Sequence, residues 1–140
     1  MNDDERWDLW VGAVIDCEID GDRRRLSGAD AGTPPATPLF VLTAYNPGGE
    51  ARDRDRNEAD QRRLERELIA IGVSFWPADG QSVDGSWSEP GVAVGGLDRA
   101  EACELGRRYG QLAVYELDEH DVHVVRCADS KVVRTRARRR

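Results

Sequence analysis

The chain has no apolar run approaching the roughly 18 residues of a membrane-spanning helix, so a helical membrane protein is excluded on sequence grounds. It has few aromatic residues, 6%, yet its 39% hydrophobic content lifts it above the range of disordered chains. It has no Cys-x-x-Cys pair: Cys17, Cys103 and Cys127 lie far apart, and an odd number of scattered thiols fits no disulfide framework. Buried, reduced side chains are expected instead. Lysine is almost missing, one against 19 arginines, a bias we attribute to coding preference. The opening residues Met1-Asn2-Asp3-Asp4-Glu5 are acidic where a secretory leader is basic, and a cytoplasmic protein is expected.

What is present fits one domain, since 140 residues is near the commonest domain size. The net charge of -7 is unevenly spread: residues 1–130 carry 27 acidic against 14 basic residues, a balance of -13, and residues 131–140 carry six basic and no acidic ones. An acidic body of that size repels a phosphate backbone, so nucleic-acid binding is not expected except through the basic end. That end, with no periodic apolar face, reads as a flexible tail, solvated or lying on an acidic surface such as the protein's own body.

Four segments follow from composition. Residues 1–20 are a lead with Trp7 and Trp10 on one side, then a half-buried strand in which Ala13, Ile15, Cys17 and Ile19 alternate with Val14, Asp16, Glu18 and Asp20. Residues 21–38, rich in Asp, Arg, Gly and Pro, read as a linker or surface loop. Residues 39–130 are an α+β domain. Leu39 to Tyr45 is a near-continuous apolar run, as in a strand covered on both faces. Asn57 can cap a helix to about Ile71 with Leu64, Leu68 and Ile71 inward, Glu58 and Arg62 paired, and Gly72 as the stop. Strands are expected at 73–76, 92–95, 111–115 and 122–127, with Pro77 marking a sheet edge. A second helix opens on a capping box of Asp98 and Glu101, with Leu97 stapled to Ala102 and Gly110 as its stop. Residues 131–140 form the flexible basic tail.

The core order of strand, helix, strand, strand, helix, strand is that of a ferredoxin-like split βαβ arrangement. With one extra strand at each end, it predicts helices on one face of a mainly antiparallel sheet.

Three short patterns mix turn residues with an aromatic and an amide or carboxylate. They are Thr43-Ala44-Tyr45-Asn46-Pro47, Gly85-Ser86-Trp87-Ser88-Glu89-Pro90-Gly91 and Gly106-Arg107-Arg108-Tyr109-Gly110-Gln111. In this order and spacing they resemble the domain of unknown function family 3293 (DUF3293). Its Thr-Ala-aromatic-Asn-Pro block corresponds to residues 43–47, its first helix to Asn57 and Leu64, its Glu-Pro block to Glu89-Pro90-Gly91, and its aromatic-x-Gln block to Tyr109-Gly110-Gln111. The likeness covers residues 39–126, and the family has no assigned activity. It therefore implies a site but no reaction.

Sharper chemistries fail on spacing. His120, His123 and Cys127 suggest zinc, but in a strand His123 and Cys127 lie about 13 Å apart, too far for two ligands about 2.0 to 2.3 Å from one ion. Asp79, Asp84 and Glu89 share a loop, yet a calcium loop counted from Asp79 meets Gln81, Val83 and Pro90 where ligands are required. Gly95-Gly96 before a helix could cradle a phosphate, but Asp98 and Glu101 already place negative charge there. No metal and no cofactor is expected.

In the split order, Tyr45 and Asn46 leave one strand where Gln111 enters its antiparallel neighbour, and the loop with Trp87 and Glu89 enters a third strand at that edge. These five residues form the expected ligand site for a small molecule or a peptide. They can equally be structural ties, Asn46 in an Asx turn and Glu89 and Gln111 bonding loop backbone. An enzyme using Glu89 as general acid or base is the alternative, and a module pairing through an exposed sheet edge is the third reading. No catalytic motif is legible.

Overall fold

The computed structural model describes residues 1–140. Three α-helices, α1 (Asp3–Val11), α2 (Arg54–Ile71) and α3 (Arg99–Arg108), accompany eight strands. These are β1 (Val14–Ile19), β2 (Asp22–Ser27), β3 (Leu39–Leu42), β4 (Phe75–Gln81), β5 (Ser88–Val94), β6 (Ala113–Leu117), β7 (Asp121–Arg126) and β8 (Lys131–Ala137). All eight join one antiparallel sheet in the order β2-β1-β4-β5-β3-β6-β7-β8. No helix is long and apolar enough to cross a membrane.

This is an eight-stranded antiparallel half-barrel, and it replaces the expected ferredoxin-like two-layer sandwich. The sheet curls far enough that the chain just past its two edge strands touches at one isolated bridge: Gly28, after β2, donates its N–H to the Arg138 carbonyl at 2.8 Å and accepts from Arg140 N–H at 3.1 Å. The helices also lie on two faces. Leu64 and Leu68 of α2 and Ala102, Cys103 and Leu105 of α3 pack with Phe40, Leu42, Val92 and Val94 on one face. The other face holds Ile15, Cys17, Leu26, Leu39, Val41, Ala93, Leu117 and Val122, with Val11 of α1 against them. β3 is thus buried on both faces, as its unbroken apolar run requires.

The two edge strands are the ones hydrophobic periodicity does not reveal. β2 reads Asp-Arg-Arg-Arg-Leu-Ser and β8 reads Lys-Val-Val-Arg-Thr-Arg-Ala, both mostly exposed and rich in charge. Charge is how an edge strand resists pairing with another chain, and it also hides the strand from pattern reading. The segment 21–38 is therefore not simply a linker, and 131–140 is not a flexible tail. Arg134 of β8 reaches Asp8 at 2.7 Å and Asp4 at 3.2 Å on α1, so the basic end lies on the protein's own acids. Arg138, only 4% exposed, donates to the carbonyls of Leu26, Gly32, Asp118 and Glu119. Four carbonyls around one guanidinium satisfy a buried charge without an acid.

Smaller corrections have local causes. β4 is an interior strand between β1 and β5, and Pro77 is tolerated because the β1 ladder stops at the Cys17–Ala78 pair, one residue short of it. Asp16 lies on the half expected to face solvent, yet it is buried at 3% exposure by bonds from Arg23, Arg25 and Gln81. The first long helix starts earlier than expected, capped by Asp53, whose side chain accepts from Asp55 N–H. Glu58 pairs with Arg54, not Arg62, at 2.8 Å, and Ile71 is exposed. The capping box of Asp98 and Glu101 forms as expected.

Candidate ligand cavity

The site begins with the turn after β3. Asn46 adopts the left-handed conformation (φ 48°, ψ 62°), which asparagine tolerates better than most residues. Its side chain is tied from three directions. Its Oδ1 accepts from Arg52 N–H at 3.1 Å and from Asn57 Nδ2 at 2.8 Å, and its Nδ2 donates to Glu89 Oε2 at 3.3 Å. Asn57, 3% exposed, returns a bond by accepting Asn46 N–H at 2.9 Å. Gln61, one turn further along α2, accepts Ala44 N–H at 2.9 Å. Helix α2 thereby fixes where the chain turns as it leaves the sheet.

Two glycines allow close approaches at this end. A Cβ on Gly91 of β5 would lie 2.5 Å from the Leu42 carbonyl oxygen, so only glycine lets β5 pass the end of β3. Gly110 (φ 70°) closes α3, and a Cβ there would lie 2.7 Å from Pro47 Cβ. Its carbonyl accepts Gly48 N–H at 2.8 Å, which docks the 46–49 turn onto the end of α3. Gln111, next in the chain, donates from Nε2 to the Tyr45 carbonyl at 3.0 Å and the Tyr109 carbonyl at 3.2 Å.

Between these turns and α1 lies a cavity of about 280 Å³. Asn46, Trp87, Glu89 and Gln111 line it, so four of the five expected residues meet there. Tyr45 does not line it and contributes its carbonyl to Gln111. The sequence reading missed Leu9 and Trp10 of α1, Val41 of β3, Asp79 of β4 and Tyr115 of β6 as wall residues. The link from α1 is a hydrogen bond from Tyr115 Oη to the Trp10 carbonyl at 2.9 Å. The one available signal was the Trp7/Trp10 pair, which places two large aromatics on a short polar lead that has nothing of its own to bury them.

Glu89 is the chemically distinctive member. It is half-buried, and only its Oε2 receives a hydrogen bond from the protein. Burial pushes its carboxyl above the usual glutamate range, and the Asn46 bond pulls back by less. The other acid on the wall, Asp79, is held by Arg23 at 2.9 Å. Asp84, in the hairpin loop beyond, is lowered to about 2 by the Ser86 N–H and the Ser86 and Ser82 hydroxyls, which makes it a turn residue. His123 is bonded to Asp118 Oδ2 and Thr135 Oγ1, each at 2.8 Å, in a strand remote from Glu89.

Fold and site define an antiparallel half-barrel with a small, acid-bearing cavity at the ends of its central strands. The chain belongs to the family described as protein of unknown function (DUF3293), which matches residues 42–114. That span runs from the end of β3 through α2 and α3 into β6, and it includes Asn46, Trp87, Glu89 and Gln111 while leaving out α1. No curated protein and no solved structure matches the chain.

Proposed function

We propose that the protein is a cytoplasmic binding domain for a small molecule seated in this cavity. The observation that carries the reading is Glu89, a carboxylate with one unpaired oxygen held half-buried beside Trp87. Withdrawing a carboxylate from water is unfavourable unless a partner is supplied, and a bound ligand can supply it. The cavity, at about 280 Å³, sits just under the roughly 300–1,000 Å³ of sites for drug-sized ligands. This size favours a free small molecule over a peptide segment. Three buried free thiols support the cytoplasmic placement.

Asn46 and Gln111 serve this site by holding its frame, since their hydrogen bonds go to the protein's own backbone and side chains. A thermal-shift screen of metabolites and nucleotides therefore uses Trp87→Ala and Glu89→Gln as its controls. A ligand of this cavity shifts the wild type and loses most of its shift in Trp87→Ala. A library that leaves the wild type unmoved, or hits that keep their full shift in both variants, would refute the reading.

The raised Glu89 carboxyl also suits a general acid or base, which makes an enzyme the second reading. Turnover of a screen hit, abolished in Glu89→Gln while binding persists, would establish it in place of simple binding.

A further inference from the structure

We propose that the cavity takes a small organic cation, an amine whose apolar body lies against Trp10 and Trp87 while its ammonium group meets Glu89. The inference rests on the cavity being a ligand site, the reading given above.

Charge makes the first argument. No lysine or arginine lines the cavity, and its only ionisable acids are Asp79 and Glu89. Arg23 already neutralises Asp79 through contacts at 2.9 and 3.0 Å, and Asp16 shares that arginine. Glu89 receives no cation from any element around it; its one partner is the neutral amide of Asn46. Arg6, the one cation of α1, stands at the rim over Trp10 and beside Gly49, but its guanidinium is paired with Asp3 at 2.7 Å and makes no bond to Glu89. The cavity therefore holds one carboxylate whose counter-ion the protein does not provide. An anionic ligand would meet that carboxylate without a basic residue to offset it.

The walls make the second argument. Trp10, Trp87 and Tyr115 bring aromatic rings to the cavity, and aromatic faces attract cations through their quadrupoles. Trp10 already does this with Arg6, whose guanidinium carbon sits 5.8 Å from the ring centroid. Leu9, Val41 and Leu42 supply apolar surface for the ligand's body. An ammonium group with a short apolar body satisfies the carboxylate and both kinds of wall at once. A neutral ligand would leave the carboxylate without its ion.

The test uses three probes of one shape and different charge: phenethylamine, 2-phenylethanol and phenylacetate. Each is titrated into the whole protein while the indole N–H signals of Trp10 and Trp87 are followed by NMR. A charged hydrogen bond replacing a neutral one gives the amine at least about tenfold tighter binding than the alcohol, with phenylacetate weakest. The isosteric Glu89→Gln brings amine and alcohol within about threefold of each other. If the alcohol or the carboxylate binds as tightly as the amine, the cation assignment is overturned while the cavity remains a ligand site. If none of the three moves either indole, the cation assignment is likewise overturned. The broader small-molecule reading then falls only if the metabolite screen also gives nothing.

Discussion

Asn57 and Asn46 clasp each other through both ends: Asn57 Nδ2 donates to Asn46 Oδ1 at 2.8 Å, and Asn46 N–H donates to Asn57 Oδ1 at 2.9 Å. Arg52 Nε adds a second donor to that Oδ1 at 2.9 Å. This polar knot stands beside the cavity, and Asn57 at its centre is only 3% exposed, so water has little access to its side chain.

Asn57→Ala removes an acceptor shared by two donors and one donor of its own. The expected loss is about 2–3 kcal/mol, read as a lower urea midpoint with an unchanged slope. A wild-type midpoint would show that the clasp is incidental to stability.

Gly91→Ala places a methyl 2.5 Å from the Leu42 carbonyl oxygen, a backbone atom that cannot swing aside. Overpacking of this kind costs about 1–3 kcal/mol. Because the displaced strand end carries the turn to Asn46, any ligand found in the screen should bind more weakly as well. Gly80→Ala is the matched control, since a Cβ there meets nothing within 4 Å. Equal unfolding midpoints for the two variants would contradict the account of the strand crossing.

Glu89 gives a pH signature whose sign follows from its raised carboxyl. The folded protein holds this proton more tightly than the unfolded chain. Ionising Glu89 therefore subtracts stability as pH rises from the unfolded value of about 4.3 through the raised folded value. Below that window the group is protonated in both states and the cost disappears. Glu89→Gln keeps an acceptor for Asn46 and removes the ionisation, so it should be more stable than wild type at neutral pH. The gain should vanish on acidification, as seen by paired thermal melts across pH. A gain that persists below the window, or a loss at neutral pH, would count against a desolvated carboxylate.

Arg138→Ala strands four carbonyls that share one guanidinium. A cost above about 3 kcal/mol is expected, and deletion of residues 131–140 should abolish cooperative unfolding altogether. A truncated protein that melts like the full chain would restore the picture of a free basic tail.

Legibility in the sequence followed burial. Leu39 to Leu42, buried on both faces, announced a central strand, and Asp98 with Glu101 announced a helix start, because both signals are local. β2 and β8 were illegible for the converse reason. Edge strands carry charge where a core strand carries its pattern, and their pairing is decided by partners far along the chain. Asn57 was misread as a cap because asparagine before a helix is usually one, whereas here Asp53 does that work and frees Asn57 to hold Asn46. Asn46, Trp87, Glu89 and Gln111 were placed together by strand direction alone, which adjacency in an antiparallel sheet preserves whatever the outer strands do. The α1 wall is half legible: Trp7 and Trp10 signal that the lead must bury aromatic surface, but nothing near Trp10 in sequence points to Tyr115 as its partner.

The hydrogen bond from Tyr115 to Trp10 joins residues 105 positions apart, and Arg134 reaches back to Asp8 across 126. The first helix docks chiefly on β7 and β8, strands made more than a hundred residues after it. One wall of the cavity thus depends on contacts with the far end of the chain, and a chain lacking those strands would lack that wall. A ligand gripped there would recognise the completed molecule alone, and its binding energy would act on the whole unfolding transition and not on one loop.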